Sequence, residues 1–553
     1  MPSGQSNLLL APQSSDSGSN EPGVECSANR IHPLFNDISV LILVSSALRL
    51  IWAAGMELGN DEAYHYLYTV HPDWSYFDHP PLLMWIARIG IALCGGWVHP
   101  LSIRLGFVLL FAGSTWLMFD WTSRWFGRSA GWFAAFALNV AAYFSAAAGA
   151  FVLPDGPLLF FWIATLRALT SALFMGDVTE KLRTSFPPAR LEKAGDIFSE
   201  QSGGLWAWTL VGLGCAGGMA SKYHAVLLPF STVVYLMLTP RRWSVLKTPG
   251  PYMATVIGML GLLPVLIWNA QHQWASFAFQ GSRAVGTELN LRGLITMVAG
   301  PIGYLLPWIW GPAVMVLFSR LRRFNRLEGI ERFLICMSAV PLTLFFCVSS
   351  VRPILPHWPL VGFIPLFPLI GSMWDRNSLQ TPILVRRWVV FMSIFTPAIA
   401  FVFYCQARFG MVDFPDTSDP AREISGWESV GIELEKRGLL DRPNTFLFTD
   451  HWYDSGQLAF SIRNRCPVLC YSPGDARGFA YWSRADQWVG KDGLLVCTEE
   501  SPNLELYRPY FRQIEPLAQF RMTRSGKPFR PVQVYLCTEQ TRPFPFEYAK
   551  LSR

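Results

Sequence analysis

Charge is what this sequence has least of. Lys, Arg, Asp and Glu make up 15% of its 553 residues, where a soluble domain carries about 25%. Against 51% hydrophobic residues, that is too little to wet the surface of a soluble enzyme, and the long apolar runs exclude a disordered chain. The ten cysteines contain no CxxC pair, which excludes a zinc ribbon, a thioredoxin-type motif and a disulfide-stapled secreted module. The net charge is only +6 and no basic cluster alternates with aromatics, which argues against nucleic acid as a partner. Residues 1–37 are polar and lack a basic stretch, a short apolar core and a cleavage site. They read as a disordered cytoplasmic tail rather than a signal peptide.

What the sequence does have is apolar runs of membrane length. A span needs about 20 mostly apolar residues. Eleven candidates follow: 38–56, 101–121, 130–150, 157–175, 205–220, 224–240, 249–268, 293–318, 330–350, 356–373 and 383–404. The run 205–220 is short and rich in small residues, among them Gly212, Gly214, Gly217 and Gly218, which let helices approach closely. One alternate set of loops carries seventeen Lys and Arg between Arg124 and Arg387. The other carries five: Arg88, Lys222, Arg283, Arg292 and Arg352. The basic set belongs in the cytoplasm. That puts the N-terminus inside and everything after residue 404 outside. Residues 82–98 are apolar enough to span, but crossing there would turn the basic loops outward. They are read as a helix in the outer interface, within a first external loop over 57–99.

From 405 to 553 the charge rises and the apolar runs shrink to strand length. TFLFTD (445–450), PVLCYS (467–472) and LLVCTE (494–499) read as strands, 453–462 as a helix, and 520–539 as a hairpin turning at Ser525-Gly526. This is a small extracytoplasmic α/β domain, in which a Cys497–Cys537 bridge is one pairing among several.

Ionisable groups near membrane depth are costly and point to function. The first external loop, GNDEAYHYLYTVHPDWSYFDHPPLLMW, holds Asp61, Glu62, Asp73 and Asp78 with no Lys or Arg from 57 to 81. Paired carboxylates there suit general-base work or a divalent cation; a solvated acidic loop with Asp61 as an N-cap is the plainer alternative. No histidine stands at a ligand spacing, so no metal site is assigned. The second external loop, VLPDGPLLF, brings Asp155 to the outer surface, although Pro-Asp-Gly also suits a plain chain reversal. Lys222, Arg283, Arg352 and Arg88, with His79, place cations at the outer ends of spans. There they can hold the phosphate of a lipid or snorkel to headgroups.

NDEAYHYLY, WSYFDHPPLLMW, VLPDGPLLF, ASKYHA, LIWNAQHQWASFAFQ and LPHWPLVGFIPLF occur in that order. Together, over roughly 38–404, they resemble the bacterial members of glycosyltransferase family 39 and the related lipid A aminoarabinose and galacturonic acid transferases. The resemblance implies a polytopic GT-C transmembrane catalytic domain over 38–404, with the external α/β domain after it. It implies transfer of a sugar from a polyprenyl-phosphate donor to an acceptor outside the membrane: a glycolipid such as lipid A, a polysaccharide or a protein. Asp61 matches the catalytic acid of the first loop, with Glu62 beside it, and Asp155 matches the second acid. His79 stands where the aminoarabinose enzymes have a phosphate-binding Lys, and Tyr64 where they have an Arg. With those charges gone, the donor phosphate falls to Lys222, Arg352, Arg283 and His79. Tyr64, Asp78, Trp74, Tyr76 and His357 are the residues expected to line the substrate. No cofactor is implied, and a divalent cation is left as an alternative. A protein O-mannosyltransferase is a second reading of the same chemistry. A transporter would want ionisable residues mid-span and two related halves, which this sequence lacks.

Overall fold

The computed structural model describes residues 37–185, 204–283, 289–415, 418–498 and 502–546, and of 175–185 the helix alone. The tail through residue 36 and the loop residues Arg190 and Lys193 lie outside the described residues.

The chain opens with α1 (Ile38–Gly55), α2 (Asn60–Val70), α3 (Leu82–Leu93), α4 (Pro100–Phe126), α5 (Arg128–Val140), α6 (Asp155–Ser185) and α7 (Leu205–Ser221). Further on stand α8 (Gly329–Val351) and α9 (Pro382–Phe409). Among the described residues five helices are long and apolar enough to cross a membrane, or up to seven if each of two bent pairs is one span. By length and composition, the described residues do not reach the expected count of eleven. Hydropathy counts apolar residues, not unbroken helix. The run 293–318 breaks at Leu306, which has φ 68° just before Pro307. The run 356–373 starts as 3₁₀ turns around Pro359 and Pro365, which lack the N–H an α-helix needs. Pro240–Lys247 turns 119° from the helix before it. Helix α3 has twelve residues; at 1.5 Å each it rises about 18 Å, short of a hydrocarbon core of about 30 Å. Its Trp85, Ile89 and Leu93 are exposed.

Small residues set the packing that matters most. A Cβ at Gly214 would meet Thr165 of α6 at 2.3 Å and one at Gly217 would meet Phe161 at 2.4 Å. Glycine there lets α6 and α7 lie backbone against backbone, and so brings the start of α6 beside the end of α7.

After α9 the chain forms α10 (Trp427–Lys436), β1 (Thr445–Thr449), α11 (Trp452–Ser461), β2 (Val468–Cys470), β3 (Asp492–Cys497), β4 (Phe511–Arg524) and β5 (Lys527–Gln540). The sheet order is β2-β1-β3-β5-β4, parallel across the first three and antiparallel beyond. The hairpin turns at Ser525-Gly526, both at positive φ. The Cys497–Cys537 bridge is corrected: neither sulfur is in a disulfide. Cys537 lies opposite Gly493, four residues along β3 from Cys497, or about 13 Å at 3.3 Å per residue, beyond disulfide reach.

This domain and the first external loop share one core. Tyr64, Leu67 and Tyr68 of α2 pack with Phe448, Trp452 and Phe479. A Cβ at Gly456 of α11 would meet the Tyr64 backbone nitrogen at 2.9 Å, so α11 rests directly on α2. Gln457 donates to Leu58 O at 2.9 Å and Asn60 Oδ1 at 3.2 Å. Glu57 accepts the N–H groups of Gly426, Trp427 and Glu428, from 3.0 to 3.2 Å, capping α10.

Candidate active site

Glu62 explains how the segment after α1 and the segment before α6 come together. Its carboxylate takes Arg104 Nε at 2.8 Å and Nη2 at 2.6 Å, the Gly59 N–H at 2.9 Å and the Val152 N–H at 3.0 Å. Arg104, itself buried, also donates to Ala53, Met56 and Glu57 carbonyls. Every lone pair of Glu62 is committed, so this residue closes the first turn of α2 and ties Val152 of the second loop to the first. His65 Nδ1 lies 2.8 Å from Val152 O and completes the tie. Asp61, one position earlier, points the other way and is exposed. It is not the N-cap; Gly59 holds that position.

Three residues past Val152, Asp155 opens α6, and Lys222 follows the last residue of α7. Each charge sits at the helix end that its sign favours. Lys222 Nζ donates to both Asp155 oxygens at 2.9 Å, with both side chains largely buried. Tyr143 stands beside Asp155 and within electrostatic reach of Asp61, and His357 stacks on Tyr143 at 5.4 Å. Asp155, Lys222 and Arg283 all act on His357. The structure thus brings Asp61, Asp155, Lys222, His357 and Arg283 to one end of the helices.

Asp61 opens onto a cavity of about 420 Å³ between the helical part and the C-terminal domain. Arg422, Glu423, Trp452, Tyr453, Asp454 and Arg530 share its lining. The walls are rich in acids that titrate unusually. Burial, and then the Asp61 charge, push the Glu423 carboxyl up. Burial pushes Asp454 up to about 6, against the pull of Arg530. Asp450, His451 and Asp454 each turn one ligand-type atom to within 4.8 Å of the others, and His451 Nδ1 is 2.9 Å from Asp450 Oδ1.

His79 is half-buried beside His65, ring centres 5.1 Å apart. Burial pushes its imidazole down to about 3, with Lys222 and Arg477 adding to the effect against Asp78. It therefore brings a hydrogen-bonding ring, not a fixed charge. Tyr64 is 0% exposed, its hydroxyl donating to Asp78 Oδ1 at 3.1 Å and accepting from the Gly478 N–H at 3.0 Å. Asp78 also takes the Tyr68 hydroxyl at 2.5 Å and Arg477 Nη1 at 3.2 Å. Burial alone would raise its carboxyl; His79, Arg477 and His65 hold it below the ordinary range. Tyr76 is stacked on Tyr68 at 3.7 Å and buried. These three residues build the joint between loop and domain. Trp74 is 56% exposed, and Arg352 is exposed at the end of α8.

Sequence reading missed Arg104 and Arg477. Arg104 lies inside an apolar span, a position that flags function or a buried partner. Arg477 sits in PGDARG, which reads only as a turn, nearly four hundred residues from the aspartate it meets.

The family described as dolichyl-phosphate-mannose-protein mannosyltransferase matches residues 78–180 and 198–268. A curated relative, the lipid A galacturonosyltransferase RgtD of Rhizobium johnstonii, is 22% identical over 312 residues, 55% of this chain and 58% of its own. The chain thus spans a little over half the length of that relative. Two crystal structures of ArnT from Cupriavidus metallidurans share the fold. The apo form has TM-score 0.57 and 17% identity, and the form bound to undecaprenyl phosphate has TM-score 0.56 and 16% identity. Both comparisons cover 90% of this chain and 97% of ArnT.

Proposed function

On a chain with the GT-C fold of the membrane glycosyltransferases, we propose transfer of a sugar from a polyprenyl phosphate to a hydroxyl of an extracytoplasmic glycolipid. The observation that carries this is that Tyr143 stands beside the Asp155–Lys222 pair and within electrostatic reach of Asp61, which lies on the wall of a polar cavity. The fold likeness to an ArnT that binds undecaprenyl phosphate and the match to a lipid A galacturonosyltransferase support the donor and acceptor classes.

Asp61 is the general base. It takes the proton as the acceptor oxygen bonds to the anomeric carbon, while the bond from that carbon to the phosphate oxygen breaks and its electron pair leaves with the polyprenyl phosphate. A phosphate ester needs no strong acid to depart, only fixed positive charge where its own charge grows. Lys222 and Arg283 supply that charge, and His79 and His357 donate hydrogen bonds to the same oxygens. Asp155 holds Lys222 in place. Arg352 and Trp74 lie on open surface at the entry. Glu62 positions Asp61 and takes no proton. The protein lies in the cytoplasmic membrane with the cavity and C-terminal domain outside, and needs no cofactor.

The test compares membrane glycolipids of a deletion strain with its parent by mass spectrometry. Loss of one sugar from a glycolipid, restored by the wild-type gene and not by an Asp61→Asn gene, is expected. An unchanged glycolipid profile with a sugar missing from a protein would move the acceptor to the protein O-mannosyltransferase class.

A further inference from the structure

The charge missing from the first external loop reappears from the other end of the chain. Arg477 lies in the turn between β2 and β3, and its guanidinium stands 3.6 Å over the Trp452 ring. Nη1 reaches Asp78 Oδ2 at 3.2 Å, and Nε lies 3.4 Å from Asp475 Oδ1. Around it, His79, Tyr64 and Asp61 are within electrostatic reach. His79 and Tyr64, on the loop side of this group, bring no fixed positive charge to it.

Two further features ask for an explanation. Arg477 adopts φ +46°, a left-handed backbone that a long side chain rarely takes and that persists at functional sites. A structural ion pair with Asp78 could be made from an ordinary turn. In addition, Arg283, from a separate segment, lies within electrostatic reach of Arg477, Asp78 and Asp475, and is held over Phe279 and Trp358. Asp78 and Asp475 offset the repulsion between the two guanidinium groups and keep both cations within reach of one small region.

We propose that Arg477 of the C-terminal domain is a phosphate ligand of the lipid-linked donor, completing with Arg283 and Lys222 a cradle that His79 and Tyr64 leave short of charge. This rests on the polyprenyl-phosphate reading above and adds to it that the donor site is built across both parts of the chain. Asp78 and Asp475 hold the guanidinium until the phosphate takes its place. A guanidinium suits this position because its planar fork meets two phosphate oxygens at once.

The test is binding of undecaprenyl phosphate to purified full-length protein in nanodiscs, with thermal unfolding measured alongside. The wild type binds; Arg477→Gln binds about tenfold more weakly or worse, the loss of one charge-assisted contact. Adding His79→Lys to Arg477→Gln returns affinity toward the wild type, because charge is restored from the loop side. A purely structural clamp would lower the unfolding temperature and gain nothing from His79→Lys, and that result overturns the proposal, as does unchanged affinity in Arg477→Gln. If Arg477→Gln does not fold, phenylglyoxal labelling of the wild type decides. Protection of Arg477 by undecaprenyl phosphate supports the ligand role, and equal labelling with and without the lipid overturns it. A wild type that binds no undecaprenyl phosphate removes the donor reading itself, and this proposal with it.

Discussion

Lys222 Nζ donates to both carboxylate oxygens of Asp155 at 2.9 Å, joining the end of one helix to the start of its neighbour. Both side chains are largely buried, so removing one partner strands the other. Lys222→Met or Asp155→Asn alone should destabilise the protein by about 3–5 kcal/mol, and the double variant by less than the sum. Thermal unfolding in detergent measures this. Equal, additive losses would show that the pair is not coupled. Transfer should be lost wherever Lys222 is replaced, since the double change restores packing but not the cation, and should fall in Asp155→Asn, where nothing holds Lys222 in place.

Asp61→Asn keeps the shape of the side chain and removes its ability to take a proton. A positioned base contributes about 10²–10⁴-fold in rate, so turnover should fall by at least the lower figure while undecaprenyl phosphate still binds. Asp61 is exposed and outside the Glu62 network, so stability should not move. Near-normal turnover in this variant would end the assignment of Asp61 as base.

The positions of these groups were only partly legible in the sequence. Asp61 and Asp155 could be picked out because each stands in a polar segment directly beside an apolar run. The strands of the C-terminal domain were legible for the same reason: TFLFT and VLC are apolar runs of strand length between turn residues. What escaped was pairing over distance. Asp78 meets Arg477, 399 positions later, and Glu62 meets Arg104 from inside a span; neither spacing leaves a periodic trace. Tyr64 and Tyr76 read as substrate-lining residues, but burial against the C-terminal domain depends on where α11 docks. Helix continuity escaped as well, since hydropathy is blind to a break such as Leu306-Pro307.

Glu62→Gln should act through structure. It leaves the Arg104 guanidinium buried without its counter-charge and loosens the tie to Val152. The expected cost is about 3–5 kcal/mol of stability, read as a lower unfolding temperature. Turnover per folded molecule should fall less than in Asp61→Asn. A stable Glu62→Gln protein with an Asp61→Asn-sized rate loss would exchange the two roles.

Chelation separates the carboxylate mechanism from a metal one. Treatment with EDTA should leave transfer unchanged, because Asp61 acts as a base and Lys222 with the arginines carries the phosphate charge. Loss of activity on chelation, restored by a divalent cation and abolished by Asp454→Asn, would place an ion at Asp450, His451 and Asp454.

Asp454 gives stability a pH dependence of known sign. Burial raises its folded-state pKa to about 6 from an ordinary 3.8, so the folded protein holds this proton more tightly than the unfolded chain. The raised value costs nothing below about pH 4, costs more as pH climbs toward 6, and costs its full amount above that. The full cost is on the order of 3 kcal/mol. Asp454→Asn cannot titrate, so its stability relative to the wild type should rise between pH 4 and 6 and then level off. Thermal unfolding of both proteins from pH 4 to 8 measures the difference. A flat difference would mean that Arg530 and Thr498 hold the carboxylate charged throughout. In that case the cavity facing Asp61 keeps this negative charge between pH 4 and 6, where the raised pKa would have removed it.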